Sequence, residues 1–281
     1  MERKTVGEWL QLSFVQNALA ACILASLLCG IVGTYVVANR MAYLAGGVAH
    51  AAYGGVGLAF FLKIPPTVGI LGFTAAAAII MGALSLRERH RSDTVISVLW
   101  AFGMAFGVLL VDLTPGYGAD LMSYLFGSIL TVSRPSLAAM GVLTLGVLLF
   151  TTLFQKELVA VSYDEQFARV RGLPVTAFYL TLIGTIALTV VVLVRVVGLI
   201  LVIAFLTIAP YIAEKNSRSL QGMMLRAVLY NVVFGLIGLG LSVALDVTSG
   251  AAIICVASVG YFVSVALGGL KQKRRHEHPH V

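Results

Sequence analysis

Charge is scarce in this sequence. Asp, Glu, Lys and Arg together make up 11% of its 281 residues, whereas hydrophobic residues make up 59% and the mean hydropathy is +0.99. A soluble domain carries about 25% charged residues, because its surface has to be hydrated. The shortage of charge therefore excludes an ordinary soluble protein and indicates a polytopic membrane protein.

Catalytic and energy-coupling motifs are absent as well. The sequence contains no Gly-x-x-x-x-Gly-Lys-Ser/Thr loop for nucleotide phosphates and no His-Glu-x-x-His pair for an intramembrane metalloprotease. Its apolar segments hold almost no ionisable residues away from their ends apart from His50 and Arg195, which disfavours a carrier built on proton relays. We therefore expect no enzyme activity from this chain, and the energy for any active transport has to come from a partner.

Apolar segments, by contrast, are abundant, and a bilayer crossing takes about 20 residues. Nine candidates occur, at 13–38, 41–62, 65–86, 94–113, 121–154, 174–194, 196–213, 223–245 and 248–270. The fifth is too long for one crossing, and the polar residues around Ser133 predict a short re-entrant helix at 121–130 and a crossing that begins near Pro135. The predicted fold is an all-α, integral membrane helical bundle of about eight to nine transmembrane helices, forming a single domain over 1–281.

The distribution of positive charge predicts the orientation of this bundle. Lys and Arg collect in four stretches, at 87–91, 156–171, 215–226 and 271–275. Such clusters mark cytoplasmic loops. The connections 112–120 and 246–250 hold neither Lys nor Arg. We expect a multi-pass protein of the cytoplasmic (inner) membrane with its C-terminus inside and its N-terminus outside. The net charge of +7 is then an orientation signal and predicts no nucleic-acid partner.

One histidine, His50, lies inside the apolar run of small residues at 41–62. A polar side chain is costly at that depth, so His50 is a candidate functional residue. Helical spacing places Gly46 and Tyr53 on the same face, and the small residues leave room for a neighbouring helix or for a path. The alternative is a packed histidine that is hydrogen-bonded to a backbone carbonyl.

A polar stretch at 157–175 predicts a short helix outside the membrane. Ser162 and Glu165 have the spacing of a capping box, Asp164 adds negative charge to the first turn, and Gly172 is typical of a helix end. The predicted helix has about nine residues. It is either a solvated connector or a rigid knob that takes up force from a soluble ATPase.

Four sequence motifs follow one another along the chain. They are RMAYL, AHA and GVGLAF within 40–60, YLFGSIL at 124–130, VSYDEQFARVRGLP at 161–174, and VGLILV at 197–202 followed by Ala209-Pro210. Together they resemble the permeases of zinc/manganese/iron-type ABC transporters. The resemblance implies a coupling helix at 162–172 that meets the ATPase through Ser162, Asp164, Glu165, Ala168 and Gly172.

The resemblance also implies a function and an assembly. The chain would be the permease subunit of an ATP-driven importer for zinc or manganese, with iron next, and the divalent metal would be cargo rather than a bound cofactor. The partners implied are a second copy in a homodimer, two cytoplasmic ATP-binding subunits that use ATP, an extracytoplasmic metal-binding protein and the lipid bilayer. The translocation path would be lined by His50, Gly46 and Tyr53.

The sequence departs from the family at Gly46, where the family carries an Asp four residues before the histidine. A single neutral imidazole suits the transient passage of a cation better than its tight capture. The missing carboxylate leaves open a wider path for a metal chelate of the siderophore or cobalamin type. A non-transporting membrane receptor or scaffold is the remaining alternative.

Two further groups of polar residues are candidates for metal contact. Asp112 and Asp120 lie in the connection assigned to the outer side, where they would receive a cation or dock the delivery protein, or are ordinary solvated loop residues. The tail 271–281 contains three histidines, His276, His278 and His280. These are candidate ligands at the cytoplasmic exit, and the alternative is a disordered basic tail.

Overall fold

A computed structural model of the protein describes residues 13–87, 92–114 and 121–277, and of residues 121–123 and 268–277 it describes the backbone only. Within these ranges, nine helices are long and apolar enough to cross a membrane. They are α1 (Ser13–Ala38), α2 (Ala42–Leu62), α3 (Pro66–Arg87), α4 (Ser92–Asp112), α6 (Arg134–Leu153), α9 (Val175–Val197), α10 (Leu199–Asn216), α11 (Leu220–Leu245) and α12 (Ser249–Glu277). The prediction of an all-α membrane bundle is confirmed, and the helix lengths favour nine spans over eight.

Short elements interrupt the bundle in two places. The first comprises α5 (Leu121–Phe126) and a 3₁₀ turn (Ile129–Thr131), and the second comprises α7 (Gln155–Tyr163) and α8 (Glu165–Val170). The predicted short helix after residue 120 is therefore present, although it ends at Phe126 because the next residue, Gly127, has a φ of +64°. The following crossing starts at Arg134, where Ser133 caps the helix by accepting a hydrogen bond from the N–H of Ser136.

α2 packs so closely against α3 and α4 that only glycine fits at the contacts. A Cβ atom on Gly57 would lie 2.2 Å from the carbonyl oxygen of Gly107 on α4, and one on Gly55 would lie 2.6 Å from the carbonyl oxygen of Gly69 on α3. Close approach of backbones increases the van der Waals contact between helices where lipid supplies no hydrophobic force. α2 is consequently among the most buried of the spans.

The last residue of α5, Phe126, lies against the junction of α9 and α10 and against the first turn of α12. α9 and α10 are joined by a single residue, Gly198, with a φ of +82°. A Cβ atom on Gly198 would lie 2.3 Å from the carbonyl carbon of Phe126, and one on Gly250 would lie 2.1 Å from the carbonyl oxygen of the same residue. The charge pattern predicts that this end of the bundle is extracytoplasmic.

The backbone of residues 271–277 continues α12 to Glu277, and the disorder predicted for the tail 271–281 stays a prediction. No proline follows Gly269 until Pro279, and Lys, Gln and Arg favour a helix in the intervening stretch. His278 and His280 lie outside the described residues, as does the side chain of His276. Their part in metal binding stays a prediction.

Candidate functional site

His50 lies within α2 with its side chain half-buried. Its imidazole stacks on the indole of Trp100 from α4, with the ring centroids 4.1 Å apart and the ring planes inclined by 10°. The ring nitrogen Nδ1 is buried and has no hydrogen-bond partner among the described residues. A packed structural histidine would satisfy that nitrogen, because leaving it unpaired costs about 1–3 kcal/mol. The described contacts therefore do not support a packed histidine that is held by a hydrogen bond from Nδ1.

The space beside His50 lies at Gly46. A Cβ atom on this glycine would meet no atom within 4 Å from elsewhere in the described structure, whereas one on the adjacent Gly47 would lie 2.4 Å from Ile96. A side chain can thus be added one turn before the histidine without a clash. Tyr53, by contrast, is 5% exposed and belongs to the hydrophobic core, so its predicted place in the path stays untested.

Trp100 was not among the candidate functional residues predicted from the sequence. The hydroxyl of Tyr43, whose ring centroid lies 6.1 Å from that of Trp100, forms a hydrogen bond with Ser97. The indole Nε1–H donates to the sulfur of Met104 at 3.1 Å. A tryptophan inside an apolar span needs a hydrogen-bond partner for its indole N–H. That requirement was the feature of the sequence that could have identified Trp100 as a candidate.

A permanent metal centre is not evident in the described part of the chain. Those residues contain no group of three or more His, Cys, Asp or Glu side chains that could hold a metal ion together. Zinc usually takes four ligands, and harder divalent cations take six or more oxygen ligands. The donor set around His50 does not fit a resident cofactor.

The predicted coupling helix at 162–172, which we call the coupling segment, differs from its prediction at its first residues. Ser162 lies in the last turn of α7, and the N-cap of α8 is Asp164, whose carboxylate accepts a hydrogen bond from the N–H of Phe167 at 2.9 Å. The predicted capping box of Ser162 and Glu165 is therefore wrong, because Asp164 takes the capping role two residues later. Glu165 instead forms an ion pair with Arg169 at 2.6 Å, and α8 has six residues rather than about nine.

Ser162 has a different partner. Its Oγ accepts a hydrogen bond from the side-chain amide of Asn39 at 3.0 Å, and the same amide donates to the carbonyl of Tyr35 at 2.8 Å. Asn39 lies in the turn between α1 and α2. The hydrogen bond therefore ties the coupling segment to the turn that precedes the helix of His50.

The other end of α8 is closed as predicted. Gly172 has a φ of +76°, the N–H of Gly172 donates to the carbonyl of Arg169 at 2.9 Å, and the N–H of Leu173 donates to the carbonyl of Ala168 at 3.0 Å. This pair of bonds is a Schellman cap. Ala168 is fully buried in a small core with Val161 of α7. α8 is thus docked on its neighbours through one face.

The opposite face of the coupling segment is apolar and exposed. Tyr163, Phe167 and Val170 are 67%, 51% and 88% exposed, and they lie between α6 and α9, outside the predicted spans. Exposed apolar patches outside the lipid usually mark contacts with other proteins. We refer to these three side chains as the apolar knob.

A cavity of about 590 Å³ lies between the coupling segment and the first turns of α2 and α4. Its lining includes Asn39, Tyr43, Asp93, Glu165 and Arg169. Of these lining residues, Tyr43 is also a neighbour of Trp100, with the two ring centroids 6.1 Å apart. The cavity is thus lined by charged side chains of both signs, Asp93, Glu165 and Arg169 among them.

The predicted outer mouth is only partly within the described residues. Asp112 is exposed at the last position of α4, and Asp120 lies outside the described ranges. The structure does not bring Asp112 together with His50, which lies deep in the neighbouring span. The role of both aspartates stays a prediction.

A family model identifies the whole bundle. The model of the ABC 3 transport family matches residues 11–268. The chain belongs to this family. The family membership that the four motifs indicated is therefore confirmed, and the match extends from the first described span to the last.

Two membrane proteins and one solved structure are similar to this chain along most of its length. It is 48% identical over 257 residues to the uncharacterized membrane protein slr2045 of Synechocystis, with 92% of each sequence covered. It is 32% identical over 249 residues to the manganese transport system membrane protein MntC of Halalkalibacterium halodurans, covering 89% of this chain and 85% of the relative. The solved structure of PsaBC from Streptococcus pneumoniae in complex with Fab matches 92% of this chain and 95% of that chain, with a TM-score of 0.82 and 27% sequence identity. The permease fold predicted for this chain is confirmed.

Proposed function

We propose that this chain is the transmembrane permease subunit of an ATP-driven importer for divalent transition metal ions, with manganese or zinc as the first candidates and iron next. The observation that carries the proposal is the geometry at His50, where a buried ring nitrogen without a described partner lies one turn from the open space at Gly46. The name of the H. halodurans relative, a manganese transport protein, supports a metal as cargo.

The proposed working unit is a homodimer. His50 offers one nitrogen per copy, and a divalent cation that leaves its water shell needs more than one ligand. Two copies of α2 near a two-fold axis would supply two histidines to one passing ion. Weak coordination of this kind allows release, which a transport path requires.

The proposed energy source is a pair of cytoplasmic ATP-binding subunits that dock on the apolar knob. Movement of α8 would pass into α7 through the buried Ala168 and into the start of α2 through the Ser162–Asn39 hydrogen bond. The bundle would then alternate between outward-open and inward-open states. An extracytoplasmic metal-binding protein would deliver the ion at the end of the bundle where α5 meets Gly198.

Metal uptake by His50→Ala tests the proposal. In cells of the native organism expressing the complete transporter, this change should reduce ⁵⁴Mn²⁺ or ⁶⁵Zn²⁺ uptake at least about tenfold, because removing a ligand leaves the ion poorly coordinated in the bilayer. His90→Ala, which removes a histidine outside the predicted spans, is the matched control. Metal flux at the wild-type rate in His50→Ala, with equal protein in the membrane, would return this histidine to a packing role. Retained uptake of a chelated metal alone would favour the chelate alternative.

A further inference from the structure

We propose that Trp100 is a positioning residue for His50, holding the imidazole in one plane and favouring its cation-bound form. This inference rests on the proposed function, because the cation is the cargo of that function. It concerns a residue on a different helix from the histidine.

The stacking geometry lets the indole restrict the orientation of the imidazole ring. Metal-binding histidines are usually oriented by a hydrogen bond from the second ring nitrogen to a carboxylate, a carbonyl or water. Nδ1 of His50 makes no such bond to any residue that the structure describes. Rotation of an imidazole about its last side-chain torsion is otherwise broad. The indole face 4.1 Å away, inclined by only 10°, restricts that rotation instead.

Trp100 is itself held in place from its own helix. Its Nε1–H donates to the sulfur of Met104 one turn later, at 3.1 Å. The contact of Gly57 with Gly107 fixes the distance between α2 and α4 seven residues further along each helix than His50 and Trp100. The orientation of Trp100 is therefore set before any ligand arrives.

The electrostatics of the stack favour a bound cation. The face of an indole carries negative potential, and it attracts an imidazole that has become electron-poor by binding a positive ion more strongly than a neutral imidazole. In this chain Gly46 supplies no carboxylate beside the histidine. The indole thus contributes part of the negative potential that a carboxylate would provide. The expected contribution to cation affinity is roughly 2- to 30-fold.

Tryptophan fluorescence can detect this arrangement directly. The chain contains two tryptophans, Trp9 and Trp100, so Trp9→Phe leaves Trp100 as the sole tryptophan, which is excited selectively at wavelengths that tyrosine does not absorb. The full-length variant, purified in nanodiscs, would be titrated with MnCl₂ while bound ⁵⁴Mn²⁺ is counted in the same samples. Paramagnetic Mn²⁺ at His50 should quench Trp100 in a saturable manner, and His50→Ala should abolish both the quenching and the bound label.

Substitutions at Trp100 separate positioning from simple packing. Trp100→Leu should weaken Mn²⁺ binding roughly 2- to 30-fold, and Trp100→Phe should restore part of it because a phenyl ring keeps an aromatic face. Met104→Leu, which removes the acceptor for the indole N–H while keeping a similar volume, should give a smaller loss. Phe102→Leu is the matched control, since Phe102 is a 55% exposed aromatic residue on the same helix.

The outcomes distinguish this inference from the function on which it rests. Mn²⁺ binding that depends on His50 but leaves Trp100 emission unchanged would overturn the inference alone. Wild-type Mn²⁺ affinity in Trp100→Leu would also overturn the inference alone. If Trp100→Leu does not fold, wild-type affinity in both Trp100→Phe and Met104→Leu would overturn it instead. Absence of any His50-dependent Mn²⁺ binding would overturn the proposed role of the histidine as well.

Discussion

Replacement of Gly172 should weaken the coupling helix without disturbing its surroundings. This residue ends α8 with a φ of +76°, and a Cβ atom there would meet no atom within 4 Å in the part of the chain that the structure describes. A new side chain would therefore cause no steric clash. The penalty is the energy of a left-handed backbone, about 1 kcal/mol for alanine and up to about 2 kcal/mol for the branched side chain of valine. Asparagine tolerates this conformation better and should cost less.

Such a penalty is large for a helix of six residues. The cap by Asp164 contributes about 1 kcal/mol. The exposed ion pair between Glu165 and Arg169 contributes about 0.3–0.5 kcal/mol. A loss of about 2 kcal/mol shifts the local folding equilibrium about 30-fold. In Gly172→Val, α8 should spend a much larger share of time frayed, and the apolar knob should transmit less movement.

The assay is ATP-dependent ⁵⁴Mn²⁺ uptake in vesicles that contain the complete transporter, together with the rate of ATP hydrolysis. Uptake per ATP hydrolysed should fall in the order wild type, Gly172→Asn, Gly172→Ala and Gly172→Val, at equal amounts of protein in the membrane. Gly146→Val is the matched control, because Gly146 lies exposed within α6 with open space beside it and without a positive φ. Uptake at the wild-type rate in Gly172→Val would refute the assignment of this segment to energy coupling.

Three other predictions concern orientation, the path and the cap. In a background without the native cysteines, a cysteine at Asn216 should react only with membrane-permeant thiol reagents and one at Gly118 with impermeant reagents in intact cells; labelling of position 216 from outside would contradict the orientation. Gly46→Asp, for which the structure has room, should strengthen Mn²⁺ binding and slow its release, and an unchanged Kd would count against a path at this face. Asp164→Ala should lower uptake more than Glu165→Ala, because the cap is worth more than the exposed ion pair, and the reverse order would contradict the observed cap.

The spans were predictable because their signals are local. An apolar run of sufficient length predicts a crossing wherever it lies, and Ser133 with Pro135 marked the start of α6 correctly. The boundary between the sixth and seventh spans was predicted at residue 195, three residues too early. The observed break is a single residue, Gly198, whose conformation depends on its contact with the last residue of α5, Phe126.

The candidate site was only half predictable, because its contacts join residues far apart in the sequence. His50 is conspicuous in an apolar run, but its stacking partner Trp100 lies on another helix. Ser162 and Asp164 are both good capping residues by type, and the capping-box spacing of Ser162 and Glu165 favoured the wrong one. The bond from Asn39 to Ser162 spans 123 positions and was not visible in any local pattern.

That bond supplies a last prediction about how force reaches His50. Asn39 keeps its second bond to the carbonyl of Tyr35, so Ser162→Ala should remove one link, worth about 0.5–1.5 kcal/mol, and leave the turn before α2 folded. Ser162→Ala and Asn39→Ala should each lower uptake per ATP hydrolysed, and the double variant should be no worse than the stronger single variant, because both changes break the same link. Losses that add in the double variant would show that the two side chains act separately, and movement of α8 would then have to reach α2 by another contact.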